Sequence, residues 1–142
     1  MESEMNSIVG RIIEKVEYDE QTKGWYFTIS KGANLSVHCA WKLIKENNVE
    51  LASGDHMQKY GLPQPINAAI KASDLLVGRK IRSIVPDKVT SDLAITFDGE
   101  ISLRTFNEYT GFEAWDLVIS QETEFIAQGR GKIINYSRKE KL

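Results

Sequence analysis

The stretch Ile8-Val9-Gly10-Arg11-Ile12-Ile13-Glu14-Lys15-Val16 decides how this 142-residue chain reads, because it returns 68 residues later as Leu76-Val77-Gly78-Arg79-Lys80-Ile81-Arg82-Ser83-Ile84. Three further segments repeat in the same order. Phe27-Thr28-Ile29-Ser30 matches Leu93-Ala94-Ile95-Thr96, and Leu35-Ser36-Val37 matches Ile101-Ser102-Leu103, both at a spacing of 66. Trp41-Lys42-Leu43-Ile44 is echoed by Trp115-Asp116-Leu117-Val118 at a spacing of 74, so the second copy holds eight extra residues between Leu103 and Trp115. That insertion contains Phe106, Tyr109 and Phe112. Ordered self-similarity of this kind predicts a tandem duplication.

Each copy reads as β-structure, since apolar residues at every second position share one face of a pleated strand. Trp25, Phe27 and Ile29 form one such face; Leu35, Val37, Cys39, Trp41 and Leu43 continue the alternation after the Lys31-Gly32-Ala33-Asn34 turn. In the second copy Leu93, Ile95 and Phe97 lead into the Asp98-Gly99 hairpin signal, then Ile101 and Leu103. Trp115, Leu117 and Ile119 supply a further strand, and Val49-Glu50-Leu51 a short one. Between the copies, Pro65 suits a first helical turn and Ile66, Ala69 and Ile70 share a helical face. Gly10 and Gly78 mark a helix end or the start of a strand, where unusual backbone angles are needed.

The expected fold is therefore α+β: mainly antiparallel β built from a tandem repeat of a strand meander, with one short helix between the copies. It forms a single domain over 1–142, with copy one at about 8–52, linker and helix at about 53–75, copy two at about 76–120 and a fraying basic tail at about 128–142. With 42% hydrophobic and 27% charged residues the chain can bury a core, which excludes a disordered or low-complexity protein. No run of residues approaches a membrane helix, and the acidic start Met1-Glu2-Ser3-Glu4 is unlike a secretion signal. One cysteine and two histidines give neither a disulfide nor the usual ligands of a structural zinc site. The expectation is a cytoplasmic protein without metal or cofactor.

Candidate chemistry is sparse. His38 and Cys39 are adjacent, but neighbours on one strand point to opposite faces and cannot form a nucleophile–base pair. Asp55-His56 sits in a polar loop with no partner nucleophile. Gly129-Arg130-Gly131-Lys132 lacks the phosphate-loop spacing. Asn34-Leu35-Ser36 and Asn135-Tyr136-Ser137 fit the glycosylation pattern, which has no meaning for a chain that is not secreted. Trp25, Trp41 and Trp115 follow the apolar alternation and read as core. Tyr109 and Phe112 lie in a segment without alternation and are either binding anchors or loop residues folded back over the core.

Charge is distributed unevenly beneath a net of −2. Residues 87–124 carry nine acidic groups against Lys88 and Arg104, whereas residues 125–142 carry five basic groups and one acidic. An acidic patch of that size attracts a basic partner and repels nucleic acid.

The Leu/Ile-Val-Gly-Arg opening (Ile8 to Arg11, Leu76 to Arg79), the hairpin Phe97-Asp98-Gly99 and the Trp-x-Leu closing (Trp41 to Leu43, Trp115 to Leu117) resemble a bacterial group of two-copy, β-rich small proteins. Members of that group resemble the immunity proteins of polymorphic and contact-dependent toxin systems. The resemblance spans roughly residues 8–120 and implies a non-enzymatic protein that occludes the active site of a cognate, basic toxin domain such as a nuclease. The first copy departs from the pattern at Lys31-Gly32-Ala33-Asn34. Under this reading Asp98, Glu100, Glu108, Glu113 and Asp116 face the toxin, and Tyr109 and Phe112 anchor it. The rival readings are a small-molecule-binding β module, and an enzyme using Asp55 and His56.

Overall fold

The computed structural model describes residues 2–137; the end of the basic tail, Arg138-Lys139-Glu140-Lys141-Leu142, lies outside the described residues. After a short helical segment, α1 (Glu2–Met5) running into a 3-10 turn (Asn6–Ile8), the first half supplies five strands: β1 (Ile13–Asp19), β2 (Gly24–Ile29), β3 (Ala33–Val37), β4 (Ala40–Lys45) and β5 (Asn48–Ala52). Helix α2 (Ala68–Leu76) follows, then β6 (Ile81–Pro86), β7 (Leu93–Phe97), β8 (Ile101–Phe106), β9 (Trp115–Val118), β10 (Thr123–Ala127) and β11 (Ile133–Ser137). The mainly antiparallel architecture with a short helix between the halves is as expected. The tail is not: residues 133–137 pair along β10 as a strand, because Ile133 and Ile134 continue the sheet past the 3-10 turn Gly129–Gly131.

Two sheets form, in the orders β1-β2-β3-β9-β10-β11 and β5-β4-β8-β7-β6. Each half therefore contributes a three-strand meander to one sheet and then crosses to extend the other. Inward residues from both sheets make one core, with Trp41, Trp115, Phe27, Phe97 and Phe125 as its largest fully buried side chains. Alternation alone predicts one strand from Leu35 to Leu43. The chain instead leaves the first sheet after Val37 and joins the second at Ala40, with His38 and Cys39 as the crossover. Cys39 and Trp41 stay buried because both sheets face the same core.

The two halves share details of hydrogen bonding. A bulge breaks the β1–β2 register between Ile13 and Lys15, and another breaks β6–β7 between Ile81 and Ser83. Val16 pairs with Phe27, and Ile84 with Ile95, so the positions that correspond along these strands lie 68 apart rather than 66. Trp41 lies opposite Thr105 and Trp115 opposite Val37. The crossover in the first half is two residues, 38–39, and in the second half eight, 107–114, so the second crossover is six residues longer, where the sequence comparison gives eight extra residues between Leu103 and Trp115. Where the halves meet, the Gly10 N–H donates to the Ile81 carbonyl and the Gly78 N–H to the Ile13 carbonyl, both at 2.8 Å. Both glycines have left-handed φ angles, +93° and +88°, which a side chain would resist.

Helix α2 begins one turn later than Pro65 suggests. Asn67 is its N-cap, its Oδ1 accepting the N–H groups of Ala69 and Ile70, each at 3.1 Å. Starting there rotates the helix so that Ala68, Ala72 and Leu76 are buried, while Ile70 is exposed.

Candidate functional site

Both crossovers lie at one end of the sandwich, where the His38 N–H donates to the Ala114 carbonyl at 2.8 Å. The seven residues grouped by charge and aromaticity do not all reach it. Glu108, Tyr109, Phe112 and Glu113 belong to the 107–114 crossover. Asp98 and Glu100 sit in the hairpin at the other end of β8, roughly 17 Å away along a six-residue strand. There Asp98 is part of the fold: its carboxylate accepts the Lys80 N–H at 3.2 Å and its carbonyl accepts from Arg79. Asp116 lies between Ser36 and Ile126 within the six-stranded sheet, on the face away from Trp115 and Leu117, half-buried with Oδ1 unpartnered among the described residues.

The 107–114 crossover is pinned rather than loose. The Asp92 carboxylate accepts the Asn107 N–H at 2.8 Å, Asn107 Oδ1 accepts the Tyr109 N–H at 3.0 Å, and the Ala114 N–H donates to the Ala127 carbonyl at 3.0 Å. Glu108 reaches the other crossover, where its Oε1 accepts the Ala40 N–H at 3.0 Å. Held this way, Tyr109 and Phe112 pack edge to face at 5.1 Å, yet remain 46% and 68% exposed. Of the two expectations for these rings, the structure gives exposed aromatics on a fixed loop.

Beside them opens a cleft of about 650 Å³. The turn between β1 and β2 lines it with Glu20 and Lys23, the 53–57 segment with Gly54, His56 and Met57, the first crossover with His38 and Cys39, and the second with Glu108 and Tyr109. Its floor is aromatic. Trp25, 4% exposed, lies 4.4 Å from Tyr18, 5.3 Å from His56 and 4.9 Å from Trp41, centroid to centroid. No sequence signal joins these residues, which come from four separate segments.

The side chains of the two dyads considered from sequence are engaged elsewhere. Burial pushes the Cys39 thiol up to about 12, and the charges of Asp92 and Glu108 add to it against hydrogen bonding with the Phe106 backbone and Thr105. Asp55 is used locally, accepting from the Ala52 N–H at 3.0 Å and the Tyr60 hydroxyl at 2.9 Å. His56 Nδ1 accepts the Ala68 N–H at 3.0 Å, tying the 53–57 segment to the start of α2. Among the described residues no cluster of His, Cys, Asp and Glu is placed to hold a metal ion, and no helix is long and apolar enough to cross a membrane.

Comparisons of this chain with protein families, with curated proteins and with solved structures returned no match.

Proposed function

We propose that this chain is a non-catalytic binding protein of the immunity type, which neutralises a basic toxin domain in the cytoplasm by covering its active site. The observation that carries the reading is the pair Tyr109 and Phe112, exposed yet fixed by hydrogen bonds on a crossover that the other half of the molecule makes in two residues. Ordered aromatics at a surface lose little freedom on binding and suit the centre of an interface. Glu108 and Glu113 supply the adjacent negative charge. Asp98 and Glu100, at the far end, and Asp116, within the sheet face, drop out of the contact that this reading needs.

Tandem duplication belongs to the same proposal. The matched bulges, the reciprocal Gly10 and Gly78 bonds and the common crossing from sheet to sheet support it, and a longer crossover in one half is how one copy of a duplicated unit acquires a function the other lacks. The aromatic cleft gives some support to the rival reading, a small-molecule-binding module.

The test is calorimetric titration of the purified chain with the toxin domain encoded beside its gene. Phe112→Ala is expected to weaken binding about 30-fold, equivalent to about 2 kcal/mol for a central anchor, and Glu113→Lys to slow association at low salt. Reversing Glu100 to Lys should leave affinity unchanged. Absence of binding, or equal losses at the two ends of β8, would overturn the reading.

A further inference from the structure

We propose that the cleft between the 20–23 turn and the 53–57 segment receives an arginine guanidinium from the partner. This rests on the binding reading above and gives the contact a chemical class. The walls offer the rings of Tyr18 and Tyr109 above the buried Trp25, and two carboxylates, Glu20 and Glu108, against the one ammonium of Lys23 and the imidazoles of His38 and His56. Glu108 is already oriented, since its Oε1 is held by the Ala40 N–H, which leaves Oε2 for a ligand.

The backbone N–H groups that would attract an anion from the start of α2 are spent. The start of α2 lies behind the 53–57 wall, but its first free N–H groups are taken: Ala68 donates to His56 Nδ1, and Ala69 and Ile70 donate to Asn67 Oδ1. A cation is therefore favoured over an anion. A planar guanidinium suits the lining better than an ammonium, because it stacks on aromatic faces while its fork of N–H donors meets carboxylates. The cleft is open, and Tyr109, which lines it, also packs against the exposed Phe112, so a residue entering it continues the surface that the partner would cover.

The pseudo-equivalent place in the second half shows what this cleft would be without such a role. There the 3-10 turn Gly129–Gly131 comes down on the turn between β6 and β7: a Cβ on Gly131 would collide with the Val89 carbonyl, and one on Gly129 with the Thr110 carbonyl. In the first half the corresponding turn, Ser53–Asp55, stands off, and a Cβ on Gly54 would meet nothing within 4 Å. Trp25 fills the floor where Leu93 stands in the other half.

The experiment is an NMR titration of the full chain, without partner, using N-acetyl-arginine methylamide and its neutral citrulline counterpart and following the Trp25 indole and His56 ring signals. Arginine should shift both and citrulline neither. Glu108→Gln, which keeps an acceptor for Ala40, should weaken arginine binding about threefold, and Lys23→Met should strengthen it by a similar factor. Gly54→Leu, placed in open space, should abolish it with the thermal midpoint unchanged. Equal binding of citrulline, no effect of Glu108→Gln, or a stronger response to inorganic phosphate would overturn the assignment. If arginine fails while the toxin domain binds and Phe112→Ala weakens it, only the cleft assignment falls. If arginine binds and the toxin domain does not, the immunity reading falls and the cleft stands as a cation site.

Discussion

The two halves of this molecule solve the same problem differently at one end. In the second half, polar groups close the space between the sheets. The Trp115 indole N–H donates to the Ser91 carbonyl at 2.8 Å, the Thr105 hydroxyl accepts the Leu93 N–H at 2.9 Å, and Asp92 accepts the Asn107 N–H. In the first half the matching positions are Trp41, Lys23, Val37, Trp25 and Gly24. Aromatic packing replaces the hydrogen bonds, and the indole N–H of Trp41, 1% exposed, has no partner among the described residues. A cleft remains where the other half is shut. Conserved strand geometry with an altered end teaches that the sandwich fixes the ends of its strands firmly enough to let one end vary.

The largest expected effect breaks the closed half. Gly131 has φ +75° and no room for a Cβ beside the Val89 carbonyl, so Gly131→Ala should destabilise the fold on the order of 3 kcal/mol, from strain and displaced backbone together. Gly54→Ala, on the matching turn of the open half, should stay within about 0.5 kcal/mol of wild type. Urea unfolding of both variants checks this. Equal costs would mean that the two turns are packed alike and that the contrast between the halves is false.

Much of this arrangement could be read from the chain, and the part that could not has a definite cause. Alternation at Trp25, Phe27 and Ile29 gave the strands and their inward face, because burial on one face of a sheet leaves a period of two. The same period hid the register. Sliding Phe27 from Leu93 to Ile95 moves it by two residues and keeps every apolar side chain on the core face, so pattern alone cannot separate a spacing of 66 from 68. Only the paired bulges at Ile13 and Ile81 decide it. Alternation also ran unbroken through Cys39, concealing a passage between sheets, since both sheets bury their residues in one core. Charge counting placed Asp98 and Glu100 with Glu108, because it measures distance along the chain, and a strand separates them in space. The cleft depends on Tyr18, His56 and Tyr109 meeting, a tertiary fact with no local signature.

A second, smaller effect sharpens the contrast between the crossovers. Cys39 lies in the short one, 6% exposed, with its thiol pushed up from 9.0 to about 12 by burial. The folded state thus holds its proton more tightly than the unfolded chain. Its contribution is intact below pH 9 and is lost as the pH rises from about 9 towards 12, at about 1.4 kcal/mol per pH unit. Urea unfolding at pH 8, 9 and 10 should show this loss in wild type and a flatter profile in Cys39→Ala. Identical slopes would mean that the short crossover opens to water before the protein unfolds.

The smallest effect tests the hydrogen bonds themselves. Trp41 and Trp115 occupy matching strand positions and are 1% and 0% exposed, so replacing either with Phe removes nearly the same buried area. The difference between the two substitutions then isolates the indole N–H. Trp115→Phe leaves the carbonyl of Ser91, itself 0% exposed, without its donor, whereas Trp41→Phe removes an N–H that has no acceptor among the described residues. Trp115→Phe should therefore cost about 1 kcal/mol more than Trp41→Phe in urea unfolding. Ser91 gives its carbonyl from a left-handed backbone, φ +65°, and Lys23 adopts nearly the same angle, +61°, so the turn geometry survives in the open half although the bond is gone. If Trp41→Phe proves as costly as Trp115→Phe, the Trp41 N–H is satisfied in solution by water entering from the cleft, and the open half is held by the same bond as the closed one, made through a solvent molecule.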